Sequence, residues 1–302
     1  NGGAHHKEPV RITPELLDEL RRISAYAPEH LPAEIAIIDL FHERVPTLLQ
    51  VACFDTAFHR DMPRVARILP IPRHFQAQGV ERYGFHGLSY ESICAQLATD
   101  EPALAAGRVI VAHLGNGASM CAIAGGRSVA TTMSFSPLDG LTMGTRCGRL
   151  DAAVVLHLID HHGMDTAAVS DLLHKQSGLL GLSGLSADMR TLLASEAPAA
   201  RLALEHFVES AVRELAGMAA SMRGVDAIVF TGGIGENAAA LRSRIVGTAA
   251  WMGLCLDDAA NAAGARCINT RDSAVQLRVM RTNEEAVIAR HAFQLGALAA
   301  TR

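Results

Sequence analysis

Apolar positions recur three and four residues apart from Leu16 onward, where Leu16, Leu17 and Leu20 follow Thr13-Pro14-Glu15. That order reads as an N-cap, a proline in the first helical position and an apolar stripe, and it predicts a helix over 13–25. Pro28 and Pro32 mark a loop, after which Ile35, Ile38, Leu40 and Phe41 predict a second helix to about residue 44. The largely apolar run 48–54 predicts a buried strand. Asp55 follows at its C-terminal end, where open α/β sheets place ligand-binding groups.

Residues 90–98 have helical spacing and 108–113 are a β-branched run, a strand broken by Gly115-Asn116-Gly117. Segments 119–124 and 128–133 flank Gly125-Gly126, which supplies the positive φ of a tight hairpin. Helices are predicted over 150–161, 166–174 and 198–222, the last a buried helix with apolar residues at Leu202, Leu204, Phe207, Val208, Val212 and Leu215. A strand at 227–230, a turn at 232–235, a helix starting near Asn237 and a strand at 275–279 follow. Thr282 and Glu285 have the spacing of a capping box for a final helix. Strands alternating with helices predict an α/β fold.

Of the 302 residues 49% are hydrophobic and 19% charged, enough for one large core or two ordinary ones. The 27 Lys and Arg against 31 Asp and Glu leave a formal charge of -4, which argues against nucleic acid as a partner. The longest apolar stretches fall well short of the roughly 20 residues that cross a bilayer, so no membrane partner is expected. The opening residues do not carry the pattern of a secretory signal, and the cytoplasm is the expected compartment. Six cysteines without CxxC spacing are expected to be reduced thiols. The adjacent pairs His5-His6 and His161-His162 have diverging side chains and are expected to be solvated or core residues rather than a zinc site.

His113-Leu114-Gly115-Asn116-Gly117 and Thr231-Gly232-Gly233-Ile234-Gly235-Glu236-Asn237 each follow an apolar strand and expose backbone N–H groups that can face phosphate oxygens. Each also reads as an ordinary packed turn. The second has neither GxGxxG nor GK[ST] spacing, which points to a base or ribose over the turn, with Asn237 capping the next helix. Phosphoryl transfer needs cations on the moving group and a carboxylate for Mg²⁺. Arg146, between Gly144 and Gly148, has room to fork onto a carboxylate or phosphate, or is a surface arginine. His86, in Tyr83-Gly84-Phe85-His86-Gly87, can donate to a phosphoryl oxygen or be structural. Glu284 can hold Mg²⁺ through water or simply favour the helix dipole.

FDTAFH at 54–59, RYGFHG at 82–87, HLGNG at 113–117, MGTR at 143–146, DMR at 188–190, GGIGEN at 232–237 and TNEE at 282–285 occur together in one order. In that order and spacing the chain resembles the acetate kinases, of the actin, sugar-kinase and heat-shock ATPase superfamily, over essentially its whole length. The resemblance implies a two-domain actin-like ATPase (ribonuclease H-like) fold. Residues 1–56 and 286–302 would belong to an incomplete first domain, and 57–285 would form the second with the nucleotide site. It implies attack of a carboxylate oxygen of acetate on the γ-phosphorus of ATP, with Mg²⁺ or Mn²⁺, giving acetyl phosphate and ADP.

By the same resemblance Asp55 and Arg146 organise the acid and the phosphoryl group, His86 stabilises the transferring phosphoryl and Glu284 is the metal carboxylate. His113, Leu114, Gly115, Asn116 and Gly117 face the phosphates. Asp188, Met189 and Arg190 with Gly233, Ile234, Gly235, Glu236 and Asn237 cradle the adenosine, while Phe85 and Pro137 wall the acid's methyl group. A homodimer is implied. Tyr90 stands where many relatives carry a second histidine, and its phenol can still donate a hydrogen bond. Glu29 falls where relatives line the acid pocket with an apolar residue, and a carboxylate there repels the acid unless turned away or protonated. The family pattern starts before Asn1, with an NxGSSS-type phosphate loop and a His-Arg-x-Val-His-Gly-Gly segment whose arginine contacts the substrate. Asn1-Gly2-Gly3 aligns with that segment's end, with Asn1 in place of histidine, which makes this chain the larger C-terminal part. A propionate or butyrate kinase and a non-catalytic nucleotide-binding fragment are the alternative readings.

Overall fold

A computed structural model of the chain describes residue 2, residues 6–22 and residues 31–300. The expectations placed on Asn1 and Glu29 lie outside these residues. Two short strands, β1 (Val10–Arg11) and β2 (Val51–Ala52), pair antiparallel. The central sheet has the order β5-β4-β3-β6-β7, built from β3 (Arg108–Leu114), β4 (Ala118–Ala124), β5 (Arg127–Thr131), β6 (Ala227–Thr231) and β7 (Gln276–Val279).

Short connections make β3, β4 and β5 antiparallel, the second through Gly125 (φ 56°) and Gly126 (φ 76°), which adopt the left-handed backbone that glycine tolerates. β6 and β7 join parallel to β3, a pairing that requires crossovers; the helix Pro198–Ser221 precedes β6. Helices therefore cover both faces, and the inner strands are continuously apolar. Ile110, Ala112, Leu114, Met120, Ile228 and Phe230 pack with Phe207, Ala211 and Leu215 of the Pro198–Ser221 helix. Their strand neighbours Val109, Val111, Cys121, Ile123 and Val229 pack with Tyr90, Ile93 and Leu97 of the helix Gly87–Asp100.

A separate core gathers Leu16, Leu17, Leu20, Leu31, Ile35 and Phe54 around the helices Pro14–Arg22 and Leu31–Arg44. The last helix, Glu284–Ala300, packs on both the Gly87–Asp100 helix and β2. Among the described residues no helix is long and apolar enough to cross a membrane.

Three local expectations are corrected. The strand expected over 48–54 is only Val51–Ala52 and half-buried; Leu48 and Leu49 are exposed in a turn closed by the Leu48 N–H to the Val45 carbonyl (2.9 Å). Among the described residues β1 is its sole partner, so that run lacks a larger sheet to bury it. The glycine turn after β6 is itself a helical turn, Gly232–Asn237, and the next helix begins at Ala239. Asn237 does not cap it, because its Nδ2 donates back to the Gly233 carbonyl (2.9 Å). The final helix is capped by Asn283, whose Oδ1 accepts the Ala286 N–H (2.9 Å), while the Thr282 N–H donates to Glu236 (3.3 Å).

Candidate active site

Asp55 leaves β2 and meets the start of the Gly87–Asp100 helix. Its Oδ2 accepts the His86 N–H (2.6 Å), its Oδ1 the Leu88 N–H (3.3 Å), and its carbonyl the Gly87 N–H (2.8 Å). A carboxylate here satisfies amides that the helix leaves unpaired and faces the positive end of its dipole. His86 is thereby held with left-handed backbone (φ 58°, ψ 29°), a conformation costly for a residue with a Cβ. From below, the wholly buried His59 lies with Nε2 3.1 Å from the Phe85 carbonyl and Nδ1 2.8 Å from Ser128 Oγ. A carbonyl only accepts, so the His59 proton is on Nε2 and Nδ1 is the acceptor.

The His86 ring stacks on His113, with centroids 4.1 Å apart and planes 21° from parallel. Ser119 Oγ lies 2.7 Å from His86 Nδ1, and Ser89 Oγ lies 2.8 Å from His113 Nδ1. Burial pushes His86 down to about 3, helped by the nearby Arg146 cation; burial and then His86 push His113 down to about 3; burial pushes His59 down to about 4. All three are neutral at pH 7.

The unfolded chain takes up these protons from about pH 6.5 downward, and the folded protein does not until about pH 3 to 4. Their contribution to stability is therefore whole above about pH 6.5 and drains away below it, by up to about 1.4 kcal/mol per pH unit for each histidine. Guanidinium unfolding at pH 7, 6 and 5 is expected to show a steep fall in midpoint, and an unchanged midpoint would rule the buried neutral cluster out.

Arg146 enters the same place from the Gly144–Gly148 segment. Its Nη1 donates to the Pro137 carbonyl (2.8 Å), and burial alone lowers its pKa; no carboxylate among the described residues compensates its charge. A methyl group added at Gly117 would lie 2.6 Å from Arg146 Nη2 and 3.4 Å from His86 Nε2. The absence of a side chain at Gly117 thus lets the Arg146 guanidinium pack against the backbone, with the His86 imidazole beside it. The loop around it is pinned, since the Gly115 N–H donates to the Gly117 carbonyl (3.1 Å) and the Gly144 N–H to the Asn116 carbonyl (3.0 Å).

Glu284 is half-buried and near enough to Asp55 for their charges to interact. Its carboxyl is pushed above the ordinary range by burial, then by the charges of Asp55 and Glu285. Among the described residues no cluster of three His, Cys, Asp or Glu side chains could hold a metal ion.

Beside Gly117 opens a cleft of about 600 Å³, lined by Gly115, Asn116, Asp188, Met189, Arg190, Gly233, Ile234 and Asn237. These come from three stretches separated by more than a hundred residues in all, and the structure brings them together as one surface. Ala187, Leu193 and Ala238 complete the lining; small or aliphatic residues at or beside short helices offered no signal in the sequence. The volume is that of a small-molecule site. Asp188 caps the helix Met189–Leu193 and is held down at about 2, first by the Arg190 guanidinium 2.9 Å away.

Other predicted residues sit elsewhere. Leu114 and Gly235 are buried beneath the cleft. Glu236 Oε1 accepts from Gly232 N–H (3.0 Å), Thr231 Oγ1 (3.3 Å) and Thr282 N–H (3.3 Å), clasping the glycine turn to the start of the last helix. The buried Arg242 supports the same turn through the carbonyls of Gly235 (2.8 Å) and Glu236 (2.9 Å). Phe85 is buried next to His86, and Pro137 meets Arg146 through its carbonyl.

The profile of the acetokinase family matches residues 1–290. The chain belongs to the acetokinase family. Within that family it is 51% identical over 298 residues to an acetate kinase of Rhodopseudomonas palustris strain TIE-1, covering 98% of this chain and 75% of that protein. It is 52% identical over 295 residues to an acetate kinase of Methylocella silvestris, covering 98% and 73%. Among solved structures, a propionate kinase from Francisella tularensis subsp. tularensis SCHU S4 superposes with a TM-score of 0.92 at 38% identity, over 96% of this chain and 76% of that one. The Porphyromonas gingivalis acetate kinase does so with a TM-score of 0.89 at 34% identity, over 97% and 76%. With these acetokinase neighbours the α/β fold expected from the sequence is the actin-like ATPase fold.

Proposed function

We propose that the chain is an acetate kinase, a phosphotransferase with a carboxyl group as acceptor, which moves the γ-phosphoryl group of ATP reversibly to acetate. The observation that carries this reading is the meeting of an uncompensated guanidinium, Arg146, and a neutral imidazole, His86, at Gly117, next to the cleft that Gly115 and Asn116 line. Phosphoryl transfer demands little covalent chemistry of a protein; it needs positioning and neutralisation of charge on the moving group. A carboxylate oxygen of acetate forms the new P–O bond as the bond to the β-γ bridging oxygen breaks, leaving ADP. Arg146 would take the equatorial charge, His86 would donate from Nε2, and Phe85 and Pro137 would enclose the methyl group. The adenosine would lie on Met189, Ile234 and the Gly233 turn.

The donor set fits Mg²⁺, which is bound through one or two carboxylates with the remaining positions supplied by phosphate and water. Glu284 with Asp55 would hold it: the two like charges already repel one another. When bound it supplies charge neutralisation on the phosphates.

Hydroxylamine trapping with Mg-ATP and acetate is expected to yield acetyl hydroxamate. No hydroxamate from acetate, propionate or butyrate would overturn the reading. Propionate is the second reading, favoured by the likeness to a solved propionate kinase. Specificity constants separate the two, since one methylene is worth about 1 to 3 kcal/mol in an apolar pocket.

The same proposal includes a homodimer and a cytoplasmic location, where ATP is supplied. Supporting the first, the apolar helix Ala152–His162 buries none of its residues, and its Leu156 is 61% exposed. A second copy would cover this face. Leu156→Asp is expected to convert a dimer to a monomer in light scattering; a wild-type monomer would refute it. The separate core around Leu16 and Phe54 supports placing residues 1–56 with 286–302 in one domain and 57–285 in the other.

A further inference from the structure

We propose that Ser119, with the Tyr90 phenol donating into it from behind, is a positioning residue which fixes His86 as the tautomer with its proton on Nε2, the nitrogen on the Gly117 side. Its catalytic consequence rests on the function proposed above; the tautomer itself does not.

Tyr90 and Ser119 are both wholly buried. The Tyr90 phenol is in hydrogen-bond contact with Ser119 Oγ, which lies 2.7 Å from His86 Nδ1. This three-member chain can run in two directions. In one, the phenol donates to Ser119, Ser119 donates to Nδ1, and the ring proton sits on Nε2, so every hydrogen has an acceptor. In the other, Nδ1–H donates to Ser119 and Ser119 to the phenol oxygen, and the phenolic hydrogen has no acceptor among the described residues. An unmet buried donor disfavours that direction by roughly one to two orders of magnitude.

The surroundings hold the chain rigid. The Tyr90 N–H donates to the His86 carbonyl (3.1 Å), so the two residues share the first turn of one helix, and Ser119 stands on β4 across from them. Burial keeps the phenol protonated and the imidazole neutral, the states the relay requires. Nε2 is then a donor beside Arg146, where a second donor is of use to an incoming anion and an acceptor would repel it.

The test is the ring tautomer of His86 by ¹⁵N NMR at neutral pH, with its signals assigned by their loss in His86→Asn. Wild type is expected to show the proton on Nε2. Ser119→Ala, which removes the hydroxyl that pins Nδ1, is expected to bring in the Nδ1–H form and to lower kcat by about tenfold with KM for ATP changed less than about twofold. Tyr90→Phe, which leaves Nδ1 as the acceptor for the Ser119 hydrogen, is expected to keep the proton on Nε2. A wild-type proton on Nδ1, or an unchanged tautomer in Ser119→Ala, would overturn the relay. The tautomer needs no turnover, so a protein that forms no acyl phosphate but carries its proton on Nε2 would overturn the proposed function and leave the relay standing.

Discussion

Arg146→Ala is expected to lower kcat by about a thousandfold or more while leaving the protein folded. The guanidinium is half-buried with one carbonyl partner and no carboxylate, so in the free protein it is a desolvated charge that stability gains little from. Removing it frees only the Pro137 carbonyl, which solvent entering the vacated space can satisfy. In the transition state the loss is different in kind, because negative charge then spreads over phosphoryl oxygens at the point beside Gly117 that Nη2 overlooks. Arg146→Lys keeps the charge but not the planar fork that reaches the Pro137 carbonyl and Gly117 together, and is expected to recover only part of the rate. Single-turnover formation of acyl hydroxamate, read beside the thermal midpoint, separates the two effects. A rate within tenfold of wild type at an unchanged midpoint would place Arg146 away from the transferred group.

Much of this site was legible because its signals are local. Gly117 and Gly144 mark places where backbone and a side chain approach closely, Arg146 against Gly117 and Asn116 against Gly144, while Gly115 and Gly148 lie closest to other backbone. The inner strands were legible for a similar reason: a strand buried on both faces is apolar throughout, and two sheet faces sort the residues of β3 into two cores. What stayed hidden depends on distant partners. Asp55 looked free for substrate, yet both its oxygens accept amides at residues 86 and 88, a link no spacing announces. Ser119 and Ser89 are unremarkable in their elements until folding sets each against a histidine. The run at 48–54 misled because apolarity fixes what is to be buried but not what stands ready to cover it, and β1 offers two residues.

Glu284→Gln is expected to raise the thermal midpoint of the free protein and to lower kcat about a hundredfold, with opposite signs from one cause. The Glu284 carboxyl lies above the ordinary range because burial, Asp55 and Glu285 all disfavour its charge. A group raised in the folded state contributes stability that is whole at acid pH and lost as pH rises through its folded pKa, so at pH 7 the ionised form is a burden. The neutral amide removes it. A bound divalent cation reverses the balance for the carboxylate, and Gln, a weaker oxygen donor without charge, cannot profit equally. Mg-ADP should therefore raise the midpoint of wild type well above that with metal-free ADP, while the two coincide for Glu284→Gln. The half-saturating Mg²⁺ concentration should rise by about tenfold or more in that variant. Equal Mg²⁺ shifts in both proteins would show that Glu284 does not hold the cation.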